Sequence, residues 1–158
     1  MRPSLFAAVL LAAALLAGPL VAPAAAQQPR FSTGQTIYVP AYGHIYHGSL
    51  KKPFYLTVTL SVRNTDVHHP LTVEAVDYYD TEGKLLSHRL DEPATVGPLG
   101  TLEVVVEEQG EDGGSGDNFL VRWSSAYQVT PPLVESVMIG TASAQGISFT
   151  SRGVVIKE

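Results

Sequence analysis

The sequence predicts an all-β chain: a single antiparallel β-sandwich of immunoglobulin-like type behind a cleaved export signal, with a small closed barrel as the alternative. Three observations lead there. Beyond position 26 the apolar residues recur with period two. Phe54, Leu56, Val58, Leu60 and Val62, for example, alternate with Tyr55, Thr57, Thr59, Ser61 and Arg63. Successive side chains on a strand point to opposite faces, so this pattern buries one face and wets the other. Turn residues interrupt the chain roughly every 8–12 positions, which divides it into about seven or eight strands. Trp123 falls in an inward row with Phe119 and Val121, a position that suits the centre of a sandwich although no disulfide can lie beside it.

The N-terminus comes first. Met1-Arg2-Pro3-Ser4 precedes an unbroken apolar run from Leu5 to Leu16, then Gly18-Pro19, Pro23 and Ala24-Ala25-Ala26. A short cationic start, an apolar stretch and a small-residue cleavage site make a secretory signal, here expected to be cut after Ala26. Gly18, Pro19 and Pro23 break the helix that a spanning anchor of about 20 apolar residues would need, so no stable membrane anchor is expected after cleavage. With no Cys in 158 residues, a lipoprotein anchor, thiolate metal sites and thiol chemistry are excluded. Residues 27–35 read as a short polar leader and residues 36–158 as one domain. The expected location is the periplasm, with full secretion as the alternative.

Strand signals follow in order. Phe54–Asn64 is the first clear strand. Leu71 and Val73 start the next, and the apolar phase then shifts to Val76 and Tyr78, which calls for one extra residue, a β-bulge, near Ala75-Val76. Asp80-Thr81-Glu82-Gly83 closes a hairpin whose return strand is Lys84–Leu90. Pro93–Gly100 reads as a turn or crossover. Leu102, Val104 and Val106 then face inward, as do Phe119, Val121 and Trp123 after the acidic glycine-rich loop Gln109–Asn118. Pro131-Pro132 opens a strand through Ile139, and Arg152-Gly153 interrupts the last one.

Several strings in that order are familiar together: Tyr38-Val39-Pro40, His44-Ile45-Tyr46, Leu60–Asp66, Val76–Asp80, Gly114-Ser115-Gly116 with Asn118–Val121, Met138–Thr141 and Gln145–Gly153. Over about residues 36–156 the chain resembles the bacterial exported family catalogued as domain of unknown function 3124. The resemblance implies an exported protein with one β-rich domain, and it carries no catalytic residues over.

Charge and motifs narrow the function. Residues 27–158 keep all 15 Asp and Glu and lose only Arg2 from the 10 Lys and Arg, so they are more acidic than the whole chain at −5. Phosphate recognition rests on clustered Lys and Arg, so nucleic acid is not an expected partner. Gly114-Ser115-Gly116 is not a nucleophile elbow, and adjacent pairs such as Asp91-Glu92 and Glu107-Glu108 split across the faces of a strand. No phosphate loop or dinucleotide fingerprint occurs. The chain is therefore expected to be no enzyme and to need no cofactor; an enzyme of unrecognised type is the more distant alternative.

Two constellations could bind. His44 and His47 are candidate zinc or copper ligands, but i and i+3 on a strand face opposite ways and converge only in a turn. His68-His69 lies across the Phe54–Asn64 strand, whose eleven residues span roughly 33 Å, so the two pairs cannot share an ion. The denser feature is aromatic. Tyr38, Tyr42, Tyr46 and Tyr55 are four of the seven Tyr, interleaved with His44 and His47, and Tyr supplies rigid amphipathic contact area. Arg152, between Ser151 and Gly153, could offer a guanidinium to an anionic group. These residues mark an expected binding face for an envelope protein or a glycan.

Overall fold

The computed structural model describes residues 30–48, 52–108, 113–142 and 145–158. The signal segment, its cleavage point after Ala26 and the start of the leader lie outside the described residues. Twelve strands, and no helix, occur among the described residues: β1 Ser32–Pro40, β2 His44–His47, β3 Lys52–Tyr55, β4 Thr57–Arg63, β5 Leu71–Tyr79, β6 Leu85–His88, β7 Ala94–Val96, β8 Thr101–Val106, β9 Asn118–Val129, β10 Leu133–Ala142, β11 Gln145–Arg152 and β12 Val154–Lys157. β1 starts at Ser32, so Ser32–Gln35, expected in the leader, are part of the sheet.

Every pairing is antiparallel. One sheet has the order β12-β1-β9-β5-β6, with β7 also on β5; a second has the order β11-β10-β4-β8; β2 and β3 pair with each other alone. Neither sheet closes on itself, so the barrel alternative is not what forms. The inward rows of both sheets meet in one core: Ile37 and Val39, Val58, Leu60 and Val62, Leu71, Val73, Val76 and Tyr78, Val104 and Val106, Phe119, Val121 and Trp123. These are the expected inward rows, except that Leu102 is only partly buried against the core.

The connections explain the irregular sequence features. In the β5–β9 register Val73 faces Trp123 and Ala75 faces Arg122, leaving Glu74 as the extra residue. This bulge lets Val73 and Val76, of opposite parity, both point inward. Gly83 takes φ 81° in the β5–β6 turn, where Asp80 Oδ1 accepts from the amides of Glu82 and Lys84. Pro93–Gly100 contains β7 and then carries the chain from one sheet to the other. Gly153 does the same between β11 and β12. Any Cβ there would lie 2.6 Å from Ile37 Cγ2 and 3.2 Å from the Val134 carbonyl oxygen, so only glycine lets the chain turn this corner against the core.

One expectation needs correcting. The alternation through Phe54–Asn64 is continuous but the strand is not. β3 pairs with β2, Leu56 stands between, and β4 pairs with β8 and β10. The buried row runs unbroken through both while the hydrogen-bond partner changes.

Candidate functional site

The β2–β3 hairpin stands apart from both sheets; its base is closed by the Leu56 amide donating to the Gly43 carbonyl, and the Gly43 amide fastens it to the Gly114 carbonyl. In its register His44 faces Tyr55 and Tyr46 faces Pro53, so these four side chains share one face, while Ile45, Phe54 and His47 share the other. Phe54 is buried and Ile45 packs on the core. The opposite face is wet: Tyr46 is 56% and Tyr55 42% exposed. The His44 ring contacts both edge-to-face, with centroids 5.0 Å from Tyr46 and 6.0 Å from Tyr55. His44 Nδ1 lies 3.1 Å from the Gly113 carbonyl oxygen, which fixes the imidazole. The result is a small aromatic platform held rigid from behind.

The expected binding residues do not form one surface. Tyr46 and His44 join Tyr55 on the platform. His47 points to the other face, against Phe54 at 5.9 Å, so His44 and His47 do not converge on an ion. The second histidine pair lies at the far end of the sandwich with Asp66. Among the described residues no group of three His, Asp or Glu is arranged to hold a metal. Tyr42 packs edge-on against Phe149, 5.6 Å between centroids, and against the core; its ring has a structural duty. Tyr38 lies on the outer face of the larger sheet, opposite Leu120 and Val154 in register.

That outer face also carries a charged group that sequence reasoning missed. Asp77, almost wholly buried, accepts from Arg122 Nη1 at 2.9 Å and sits 2.7 Å from His88 Nδ1. Asp77 and His88 are directly paired across β5 and β6, a juxtaposition that only the hairpin register reveals.

The acidic glycine loop proves to be anchored where it is described. Asp117 is 1% exposed. Its Oδ2 accepts from Tyr78 Oη and the Gly114 amide, both at 2.6 Å, and Oδ1 from Thr81 Oγ1 at 3.3 Å. Burial first, then the bond to Asp117, pushes the Tyr78 phenol well above its usual range. Residues 109–112, the rest of that loop, lie outside the described residues. The Asp117 carboxylate is taken up by protein donors.

Arg152 lies elsewhere again. It stands on the rim of an open groove of about 420 Å³, beside the β11–β12 corner, together with Arg30, Gln35, Ile37, Val134 and Val155. Its cross-strand neighbour Glu135 pairs with Arg63 instead.

Fold and surfaces together define an all-β, sandwich-like domain with an aromatic platform at one end and a cationic groove along one side. The family described as Protein of unknown function (DUF3124) matches residues 34–156, and the chain belongs to it. A comparison with curated proteins finds no match. Among solved structures the chain is similar to Thermotoga maritima 1070, with 11% sequence identity over 76% of this chain and 92% of that chain and a TM-score of 0.48.

Proposed function

We propose that this protein is an exported, non-catalytic binding module of the bacterial cell envelope, periplasmic after removal of residues 1–26, and that its fold is of immunoglobulin-like type. The fold assignment rests on two interlocked crossings. β4 and β8 are neighbours in one sheet, and the chain passes from each to the other sheet, arriving on the neighbours β5 and β9. Strands B and E leading to C and F do the same in immunoglobulin domains. Here β10 takes the place beside β4, with β11 beyond it at the edge, and β1 takes the place beside β9.

The observation that carries the binding reading is the platform of His44, Tyr46, Pro53 and Tyr55. Its two tyrosine rings are exposed, packed on half-buried His44 and backed by buried Phe54, so they are ordered without contributing to the core. Such rings lose little conformational entropy on contact, and binding surfaces favour them for that reason. The partner class is an envelope protein or a glycan. The test is capture from envelope fractions and from a panel of cell-wall glycans by the purified protein, with Tyr46→Ser/Tyr55→Ser in parallel. Loss of at least about tenfold in affinity at unchanged melting temperature supports the reading; undiminished capture by the double variant overturns it.

A further inference from the structure

The groove beside the β11–β12 corner holds three unanswered polar groups around an apolar wall. Arg30 and Arg152 are exposed on its rim, and neither forms an ion pair among the described residues, whereas Arg63 pairs with Glu135 and Arg122 with Asp77. Gln35 lines the groove from the inward row of β1, between the sheets, and is only 7% exposed. Its Oε1 has no hydrogen-bond partner among the described residues. Buried polar atoms in folded proteins are nearly always bonded, so an acceptor left free at the wall of a groove is a specific signal. Ile37, Val134 and Val155 supply the apolar wall, and a volume near 420 Å³ is within the range of small-ligand sites.

We propose that this groove binds the C-terminal end of a peptide. A terminal carboxylate answers the two guanidinium groups, which match carboxylate oxygens in fork geometry. The last amide N–H supplies the donor that Gln35 Oε1 lacks. A small apolar side chain lies on Ile37, Val134 and Val155. The body of the peptide leaves along β12, which pairs only with β1 among the described residues and so has an open edge for strand addition. An inorganic anion would satisfy the arginines and leave Gln35 and the wall unused.

This site is separate from the aromatic platform, so it stands or falls independently of the proposed function. The experiment titrates the full mature protein with N-acetyl-Ala-Ala, with its C-terminal carboxamide, and with acetate, following backbone amide NMR shifts and calorimetric heat. The free acid should shift the Arg30, Gln35 and Gly153 signals and bind with Kd below about 1 mM. The carboxamide and acetate should each bind at least about tenfold more weakly. Arg30→Gln/Arg152→Gln, two exposed positions, should weaken the acid by a similar factor at unchanged melting temperature. Gln35→Leu should weaken the acid and leave the already weak acetate response unchanged; if that variant does not fold, the arginine pair decides alone. Equal binding of acid and carboxamide, acetate competing as strongly as the peptide, no binding of the acid, or binding indifferent to the arginine pair would each overturn the proposal.

Discussion

Asp117 and Gln35 are both polar side chains taken out of water, one under the end of the sandwich and one along its side, and they are treated in opposite ways. Around Asp117 both carboxylate oxygens are engaged, by Tyr78, the Gly114 amide and Thr81, and the loop that delivers it is fastened to Gly43 and Ala41 by backbone bonds. Gln35 sits opposite Trp123 in the β1–β9 register, and both Gln35 Oε1 and the Trp123 indole Nε1 are buried without partners among the described residues. A satisfied buried network rigidifies the structure around it, whereas an unmade bond costs the full desolvation of the group. The first arrangement is architecture. The second makes sense as a place prepared for something that is not part of the chain.

A further knot at the groove end resembles Asp117 rather than Gln35. Asn64 Nδ2 donates to the carbonyls of His69, Val96 and Gly97, and its Oδ1 accepts from the Asp66 amide. Asp66 in turn accepts from the amides of His68, His69 and Thr130, which hold its carboxyl at about 2. The strings Leu60–Asp66, Val76–Asp80 and Gly114-Ser115-Gly116 with Asn118–Val121, by which the chain resembles its family, supply or flank the residues of these two knots. That is why the resemblance specifies a fold and no chemistry.

The comparison breaks first, if it is wrong, at Asp117. Asp117→Ala leaves the buried Tyr78 hydroxyl and the half-buried Gly114 amide without their acceptor, and should cost about 3 kcal/mol or more, read from urea unfolding. A loss under about 1 kcal/mol would show that the knot is incidental. At the Asp66 knot the test is pH. The folded carboxyl titrates at about 2 against about 4 when unfolded, so its contribution is complete above about pH 4 and disappears as pH falls toward 2. The fall in unfolding midpoint over that window should be shallower in Asp66→Asn than in wild type. Parallel curves would detach Asp66 from acid stability. Smaller again is the platform: Tyr46→Ser/Tyr55→Ser should lie within about 1 kcal/mol of wild type, because neither ring is in the core.

Much of the fold was legible because burial writes a period of two into the chain. The rows Val58-Leu60-Val62, Leu71-Val73-Val76-Tyr78 and Phe119-Val121-Trp123, the bulge beside Ala75 and the turn at Gly83 could all be read that way. The first strand was harder. Gln35 puts a polar residue in the inward row, so Ser32–Gln35 read as leader, and the same substitution hid the groove. Partner exchange at Leu56 leaves no trace in the alternation. Asp117 lies in a run of Gly, Ser and Asp whose composition signals solvent, and its inward turn depends on Tyr78 and Phe119 meeting across β5 and β9. Tyr density in sequence marked the right segment but not the right face, since Tyr38, Tyr42 and Tyr46 end on three different surfaces. Register, which period alone does not determine, sorted them.

The smallest expected effect sharpens the comparison most. Gln35 and Asp117 are both nearly inaccessible, and burial alone would predict that losing either side chain is costly. The free Oε1 argues otherwise for Gln35. Leucine is comparable in size to glutamine although it branches one carbon earlier, extends the apolar row of Ile37 and Val39, and removes an acceptor that has no partner among the described residues. Replacing an unsatisfied polar group with an apolar one of similar shape is close to neutral or stabilising. Gln35→Leu should therefore unfold within about 1 kcal/mol of wild type, with any difference in favour of the variant. Urea denaturation of the purified protein measures it directly. A loss of about 3 kcal/mol, as large as that expected for Asp117→Ala, would mean that Gln35 is held by the fold as Asp117 is.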